Sequence, residues 1–225
     1  MKKLFGFALA MLASVSLSAC GNTASSDQNS SSASVATVKS AKSQNKANSG
    51  KEVTNGPLLH PGEWTDDSDR GKAELKAISN PKQTITSGTA SIIINDVKFI
   101  EVTPRTDDQK QYVEGTTGAS NLTTPYYQIQ VDYQLKNNDT KPIQFNGIKS
   151  VVLGTGEQID GESGMYDSGS DSEIAANATK ASMVVVVVNK DKAKLNKVTL
   201  NFDTFVDKDS FDPIADAPAP LTLTF

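Results

Sequence analysis

One cysteine, one histidine and one tryptophan are all that 225 residues hold of these three types. The single cysteine, Cys20, rules out an intrachain disulfide and a thiolate-rich metal site. The single histidine, His60, stands beside Pro61, so a Ser–His–Asp or Cys–His system would have no base within the later apolar segments. Phosphate loops, dinucleotide fingerprints and zinc-finger spacings do not occur in the sequence. Basic charge is scarce as well: beyond residue 83 the chain carries a net charge of −7, against −4 for the whole. Such a domain lacks the cationic face that neutralises phosphates, so we expect no nucleic-acid partner. It equally lacks a polybasic patch for anionic lipid. We expect no enzyme and no cofactor, with carboxylate-based catalysis the weakest of the remaining readings.

Long apolar runs are missing too. The most apolar later segment, residues 183–188, is strand-sized, and residues 4–15 are too short to span a bilayer. Those residues follow Lys2 and Lys3 and precede Leu17-Ser18-Ala19-Cys20, which resembles the bacterial lipobox. The resemblance implies that residues 1–19 are a signal peptide cleaved before Cys20. It also implies that the Cys20 sulfur carries a diacylglyceryl thioether. Each buried methylene contributes roughly 0.8 kcal/mol, so two acyl chains anchor stably where one binds only marginally. The expected location is the extracellular face of the cell membrane, with the membrane itself as partner through Cys20.

Residues 21–55 contain no Leu, Ile or aromatic side chain. A segment that cannot bury apolar surface cannot offset its ordering entropy, so residues 20–55 are expected to form a lipidated, disordered tether. As a coil it would hold residues 56–225 roughly 30–35 Å from the anchor.

Alternation of period two dominates the remainder. Tyr127, Ile129, Val131, Tyr133 and Leu135 alternate with Gln128, Gln130, Asp132, Gln134 and Lys136, a half-buried strand with one wet face. Asn137-Asn138-Asp139 ends it with turn chemistry. Residues 91–102 are rich in Ile, Val and Phe, and their alternation changes phase at Asn95–Asp96, predicting a bulge. Ile143, Phe145, Ile148, Val151 and Leu153 predict one or two strands split near Gly147. Five consecutive valines suit a central strand buried on both faces. Val198, Leu200 and Phe202 predict a strand, as do Leu221, Leu223 and Phe225. At residues 72–78, Leu75 and Ile78 fit a helix, while Ala73, Leu75 and Ala77 fit a strand. We assign a strand, because Asp69-Arg70-Gly71 before it reads as a hairpin turn with Trp64 on the incoming arm. No segment reads as a convincing helix. The expected fold is all-β, an immunoglobulin-like antiparallel β-sandwich behind a disordered tether.

The stretch Val131-Asp-Tyr-Gln-Leu-Lys-Asn-Asn-Asp-Thr-Lys-Pro-Ile143 resembles an immunoglobulin-like domain of unknown function found in lipoproteins of Gram-positive bacteria. There an alternating strand ends in Lys-Asn, a short polar turn and Lys-Pro-Ile. Val152-Leu-Gly-Thr-Gly-Glu-Gln-Ile159 resembles the hairpin that follows. Ala175-Ala-Asn-Ala-Thr-Lys180 stands where that domain has a Pro-Gly turn, which this sequence lacks. The resemblance covers residues 89–207 and implies a fold and a location, not an activity.

Two chemical readings remain. Asp160, Glu162, Asp167, Asp171 and Glu173 lie in one glycine-rich stretch and offer hard oxygen ligands suited to calcium, although their spacing is not that of an EF-hand. Asp207, Asp209 and Asp212 form a second, weaker set; for both, the plain alternative is a solvated loop. Among aromatics, Tyr127 and Tyr133 share the apolar phase and are expected in the core, leaving Tyr126, Tyr112 and Tyr166 as exposed contacts. The function that best suits this is a binding module at the cell envelope, with a protein, peptide or glycan partner. A structural or accessory subunit of a membrane complex is the alternative.

Overall fold

The computed structural model describes residues 50–161 and 163–225. Its first hairpin joins β1 (Trp64–Asp67) to β2 (Gly71–Ser79), so residues 72–78 are a strand. The turn is fixed by Asp67, whose carboxylate accepts from the backbone N–H of Asp69 at 2.9 Å and of Arg70 at 3.0 Å. The same carboxylate pairs with the Arg70 guanidinium at 2.6 Å. At Gly71, φ is +96° and a Cβ would strike the Thr103 carbonyl, so this turn requires glycine.

Next come β3 (Thr84–Ser87) and the long β4 (Ala90–Thr103), then α1 (Asp107–Thr117) and β5 (Tyr126–Asn137). Short strands follow: β6 (Ile143–Phe145), β7 (Ile148–Leu153), β8 (Gln158–Asp160), β9 (Met165–Asp167) and β10 (Ser172–Ile174). The valine run lies in β11 (Thr179–Val188), and β12 (Lys197–Phe202), β13 (Phe205–Asp207) and β14 (Leu221–Thr224) complete the order.

All strand pairings between these elements are antiparallel. One sheet runs β1-β2-β4-β5-β11-β9, with β3 also on β4. Facing it are β14-β12-β7-β8 and β10-β6-β13. Within these, β4-β5-β11-β9 and β14-β12-β7 reproduce the ABED and GFC orders of an immunoglobulin sandwich, with β8 in the C′ place. The expected fold class is therefore the observed one.

The bulge expected at Asn95–Asp96 is present, as a register shift between Ile94 and Asp96 against β5. The split at Gly147 is a shared bend. Where β6 gives way to β7 and β12 to β13, Asn146 N–H donates to the Thr204 carbonyl at 3.1 Å, and Asp203 N–H donates to Gly147 at 2.9 Å.

Apolar faces of the two sheets close on one core. Ile92, Ile94, Ile129, Leu135 and Val184 from one side meet Ile143, Val151, Leu200 and Phe205 from the other, all with 1% exposure or less. The Phe145 and Phe205 rings lie 4.7 Å apart, and Tyr133 meets Phe145 edge-on at 6.5 Å.

A second, smaller cluster covers the other face of the first sheet. Leu75, Ile100, Val102, Tyr126, Val185 and Val187 are buried there beneath Val113 of α1, with Leu58 and Leu122. The chain before β1 contributes to this cover, because Val53 packs on the cluster and Glu52 bridges to Trp64.

Two expectations fail here. A helix exists where none was read, since α1 buries only Val113 and Thr117 and has no apolar stripe to announce it. Tyr126 is not an exposed contact; it is fully buried, because the face it points to is roofed by that helix.

Candidate functional site

The helix is defined by its ends. Thr106 caps it by accepting from Gln109 N–H at 3.3 Å, and Gln109 Oε1 accepts from Arg105 N–H at 2.7 Å. Asp107 and Asp108 occupy the first turn, where negative charge suits the helix dipole. Gly118 ends it in the left-handed conformation, φ +72°, and donates to the Glu114 carbonyl at 2.8 Å. Glu114 then holds the return loop through Leu122 N–H, at 2.9 Å.

Its C-terminal turn is tied to the sandwich by one residue. Gly164 N–H donates to the Thr117 carbonyl at 2.9 Å, while the Gly164 carbonyl accepts from Val187 N–H at 2.8 Å. Between this turn and the neighbouring strands lies a cleft of about 530 Å³. Gly115 to Gly118 form one wall; Met165, Tyr166 and Asp167 of β9, with Ile148, Gly161 and Ser170, form the rest.

Asp167 is the chemical centre of the cleft. Its Oδ1 accepts from the Tyr133 hydroxyl and from Gly169 N–H at 2.9 Å, and its Oδ2 accepts from Ile148 N–H at 2.8 Å. One carboxylate therefore links β9, β5 and β7, and so both sheets. Burial pushes its pKa above the ordinary carboxylate value, against the downward pull of those three donors. The same burial, reinforced by the Asp167 charge, pushes the Tyr133 phenol upward.

This is a different assignment for Asp167 from the calcium set. Asp160 ends β8 opposite Ser150 and accepts from Gln158, Asp171 sits at φ +54° in a turn, and Glu173 pairs with Gln144 in β10. The stretch is thus divided among three strands in separate sheets, and among the described residues no three His, Cys, Asp or Glu side chains are grouped to hold a metal ion. Glu162 and Cys20 lie outside the described residues. In the second acidic set, Asp207 caps its own turn, accepting from Asp209 N–H at 2.9 Å and Ser210 N–H at 3.0 Å, which lowers its pKa. Asp209 and Asp212 are exposed in that turn. Tyr112 is exposed on α1, and Tyr166 is half-buried on the cleft. His60 donates its backbone N–H to Glu63 at 3.0 Å, in the chain leading to β1.

A further charged group went unread in the sequence. Lys98, 5% exposed on the outer face of the first sheet, lies 3.2 Å from Asp96 and 3.0 Å from Asp132. Burial, then the neighbouring Asp132, push the Asp96 pKa upward, and the two carboxylates hold that of Lys98 up. The cleft walls were also missed, and only the caps Thr106 and Gly118 signalled them.

Fold and cleft define a class: an antiparallel immunoglobulin-like sandwich with a polar cleft at one sheet edge. No family model matches the chain. It is similar to the uncharacterized protein YdhF of Bacillus subtilis (strain 168), 25% identical over 138 residues, which is 61% of this chain and 56% of that protein. The chain thus spans little more than half the length of this relative. Among solved structures, a functionally unknown protein of Listeria monocytogenes EGD-e covers 68% of this chain and 86% of its own, with TM-score 0.44 and 12% identity. A candidate lipoprotein of Bacillus subtilis, ycdA, covers 63% and 38%, with TM-score 0.36 and 15% identity. An uncharacterized β-sandwich protein of Clostridium difficile 630 covers 54% and 85%, with TM-score 0.28 and 16% identity. None of these descriptions names an enzymatic activity.

Proposed function

We propose that this chain is a lipid-anchored binding module of the cell envelope and that the cleft beside α1 is where its sandwich takes a ligand. The carrying observation is a pair of glycines that line the cleft. At both Gly115 and Gly161 an added Cβ would meet nothing within 4 Å among the described residues beyond its chain neighbours, and neither has a positive φ. Backbone conformation and packing therefore do not require glycine at either position. In the interior of α1, glycine even costs about 1 kcal/mol relative to alanine. What these glycines supply is open space on the cleft, which a ligand can use.

Anchoring rests on the lipobox resemblance at Cys20. It agrees with the finding that no helix among the described residues is long and apolar enough to cross a membrane. Cys20→Ala is expected to leave the chain unprocessed or to release it into the medium.

The binding role is tested with the full chain and isolated envelope material, walls and membranes assayed separately. Gly115→Ala should weaken the binding while raising stability by about 0.5–1 kcal/mol. Gly115→Arg should fill the cleft and abolish binding without lowering the melting temperature. Undiminished binding by Gly115→Arg overturns the assignment of the cleft. Capture of one membrane protein in equal amount, insensitive to that substitution, would favour an accessory subunit instead.

A further inference from the structure

Resting on the cleft as the binding site, we infer that its ligand presents a protonated amine on a short aliphatic stem, as a lysine side chain of a peptide does. The first ground is an uncompensated carboxylate. Among the described residues, no Lys, Arg or His nitrogen lies within 4.0 Å of Asp167. Its three partners are neutral donors, two of them on Oδ1, so Oδ2 keeps acceptor capacity. The contrast with Asp96 is direct: both carboxyls are shifted upward by burial, yet Asp96 has the Lys98 ammonium beside it.

The second ground is the end of α1. Helix carbonyls in a last turn lack intrahelical partners and carry roughly half a negative charge, which a nearby cation stabilises. The last turn of α1 has no basic residue. Among the described residues, the Glu114 carbonyl of that turn accepts from Gly118 and the Thr117 carbonyl from Gly164, while those of Gly115 and Thr116 accept from no backbone N–H. None of the described residues lining the cleft is Lys, Arg or His. Carboxylate and helix end thus present the same sign to one cleft.

The third ground is the apolar part of the wall. Ile148 and Met165, both about 5% exposed, border the cleft and would cover methylenes while the ammonium reaches Asp167. A volume of about 530 Å³ admits such a stem.

The test uses the full chain and three probes: cadaverine, an acetylated lysine methylamide with a free ε-amine, and 1,5-pentanediol as the neutral isostere. Both amines are expected to raise the melting temperature saturably and to bind about tenfold or more tighter than the diol, an advantage that shrinks as salt rises. Tighter binding of the lysine derivative points to a peptide source, and of cadaverine to a free diamine. Asp167→Asn should remove the preference. Because that substitution also disturbs three internal hydrogen bonds, Gly115→Lys and Gly115→Gln are compared independently. The lysine should satisfy Asp167 from within, stabilising the fold more than glutamine and blocking the amines. Equal binding of diol and amines would sink the charge class while leaving the cleft a binding site. No response to any probe, with Gly115→Lys no more stable than Gly115→Gln, overturns the inference; the envelope assay with Gly115→Arg still decides the binding role separately.

Discussion

The two faces of the first sheet come from the same strands and are built on different terms. On the inner face, β4, β5 and β11 present Ile92, Ile94, Val97, Ile129, Val131, Leu135, Val184 and Val186, with Tyr133 among them. The Tyr133 hydroxyl is satisfied by Asp167 and that of Tyr127 by Glu101. On the outer face, Ile100, Val102, Tyr126, Val185 and Val187 give way along the strands to Lys98, Gln128, Gln130 and Asp132. The Tyr126 hydroxyl there lies beside Gln128 without a hydrogen bond of good geometry. A face closed by a second sheet must be apolar throughout. A face roofed by a helix that buries two residues tolerates polar groups and leaves a cleft at its margin. Stability belongs to the first arrangement and access to the second.

The largest effect that would sharpen this contrast is expected at the inner core. Phe205→Ala removes a ring tilted against Phe145 at 4.7 Å and should cost about 3–5 kcal/mol, read as a fall in the denaturant midpoint. A loss below about 1 kcal/mol would break the distinction between the faces. Next is Tyr133→Phe. It keeps the ring but strips a donor from a buried carboxylate, and should cost about 1.5–3 kcal/mol by the same measure.

Val113→Ala comes third. Losing two methylene equivalents beneath α1 should cost about 1.5 kcal/mol, and amide exchange should quicken in α1 while β5 and β11 keep their protection. Uniform quickening would show that the helix and the sandwich open as one unit.

The smallest effect is one of pH. Because burial and Asp132 raise the Asp96 pKa, the folded chain holds that proton more tightly than the unfolded chain does. Stability from this group is present below the ordinary aspartate value of about 4 and is lost as pH rises through the elevated folded value. Asp96→Asn removes the titration, so its melting temperature should gain on the parent as pH is raised upward from about 4. A constant difference would show that Lys98 neutralises both carboxylates fully.

Legibility in the sequence followed the same division. Period-two alternation located β5, β12 and β14, the valine run located β11, and the phase change at Asn95–Asp96 and the glycine at 147 marked the bulge and the bend. Each of these is a local consequence of a face packed against another sheet. The helix was hidden because its cover of the second cluster rests on Val113 and Thr117, too few apolar positions to produce a period of 3.6. Tyr126 was misjudged for a related reason: alternation tells which face a residue joins, and does not tell whether that face is roofed. In the acidic stretch, Asp160, Asp167 and Glu173, close in sequence, are dealt out to β8, β9 and β10, and Glu162 lies outside the described residues. The leader, Cys20 and the tether up to residue 49 lie outside the described residues, whereas residues 50–55, read as the end of the tether, join the fold, with Val53 packed on the second cluster.

By itself, then, the order of residues determined that this chain would form strands, which of their faces would exclude water, and where register would shift, because side-chain alternation in an extended backbone is a nearest-neighbour property. Only the tertiary structure decided that a polar helix would cover the outer face and that Asp167 would bind three strands together. Only it could place two unconstrained glycines on one cleft with that carboxylate. These depend on residues as far apart as Gly115, Ile148 and Asp167 arriving at one place, and no local pattern encodes a meeting of that kind.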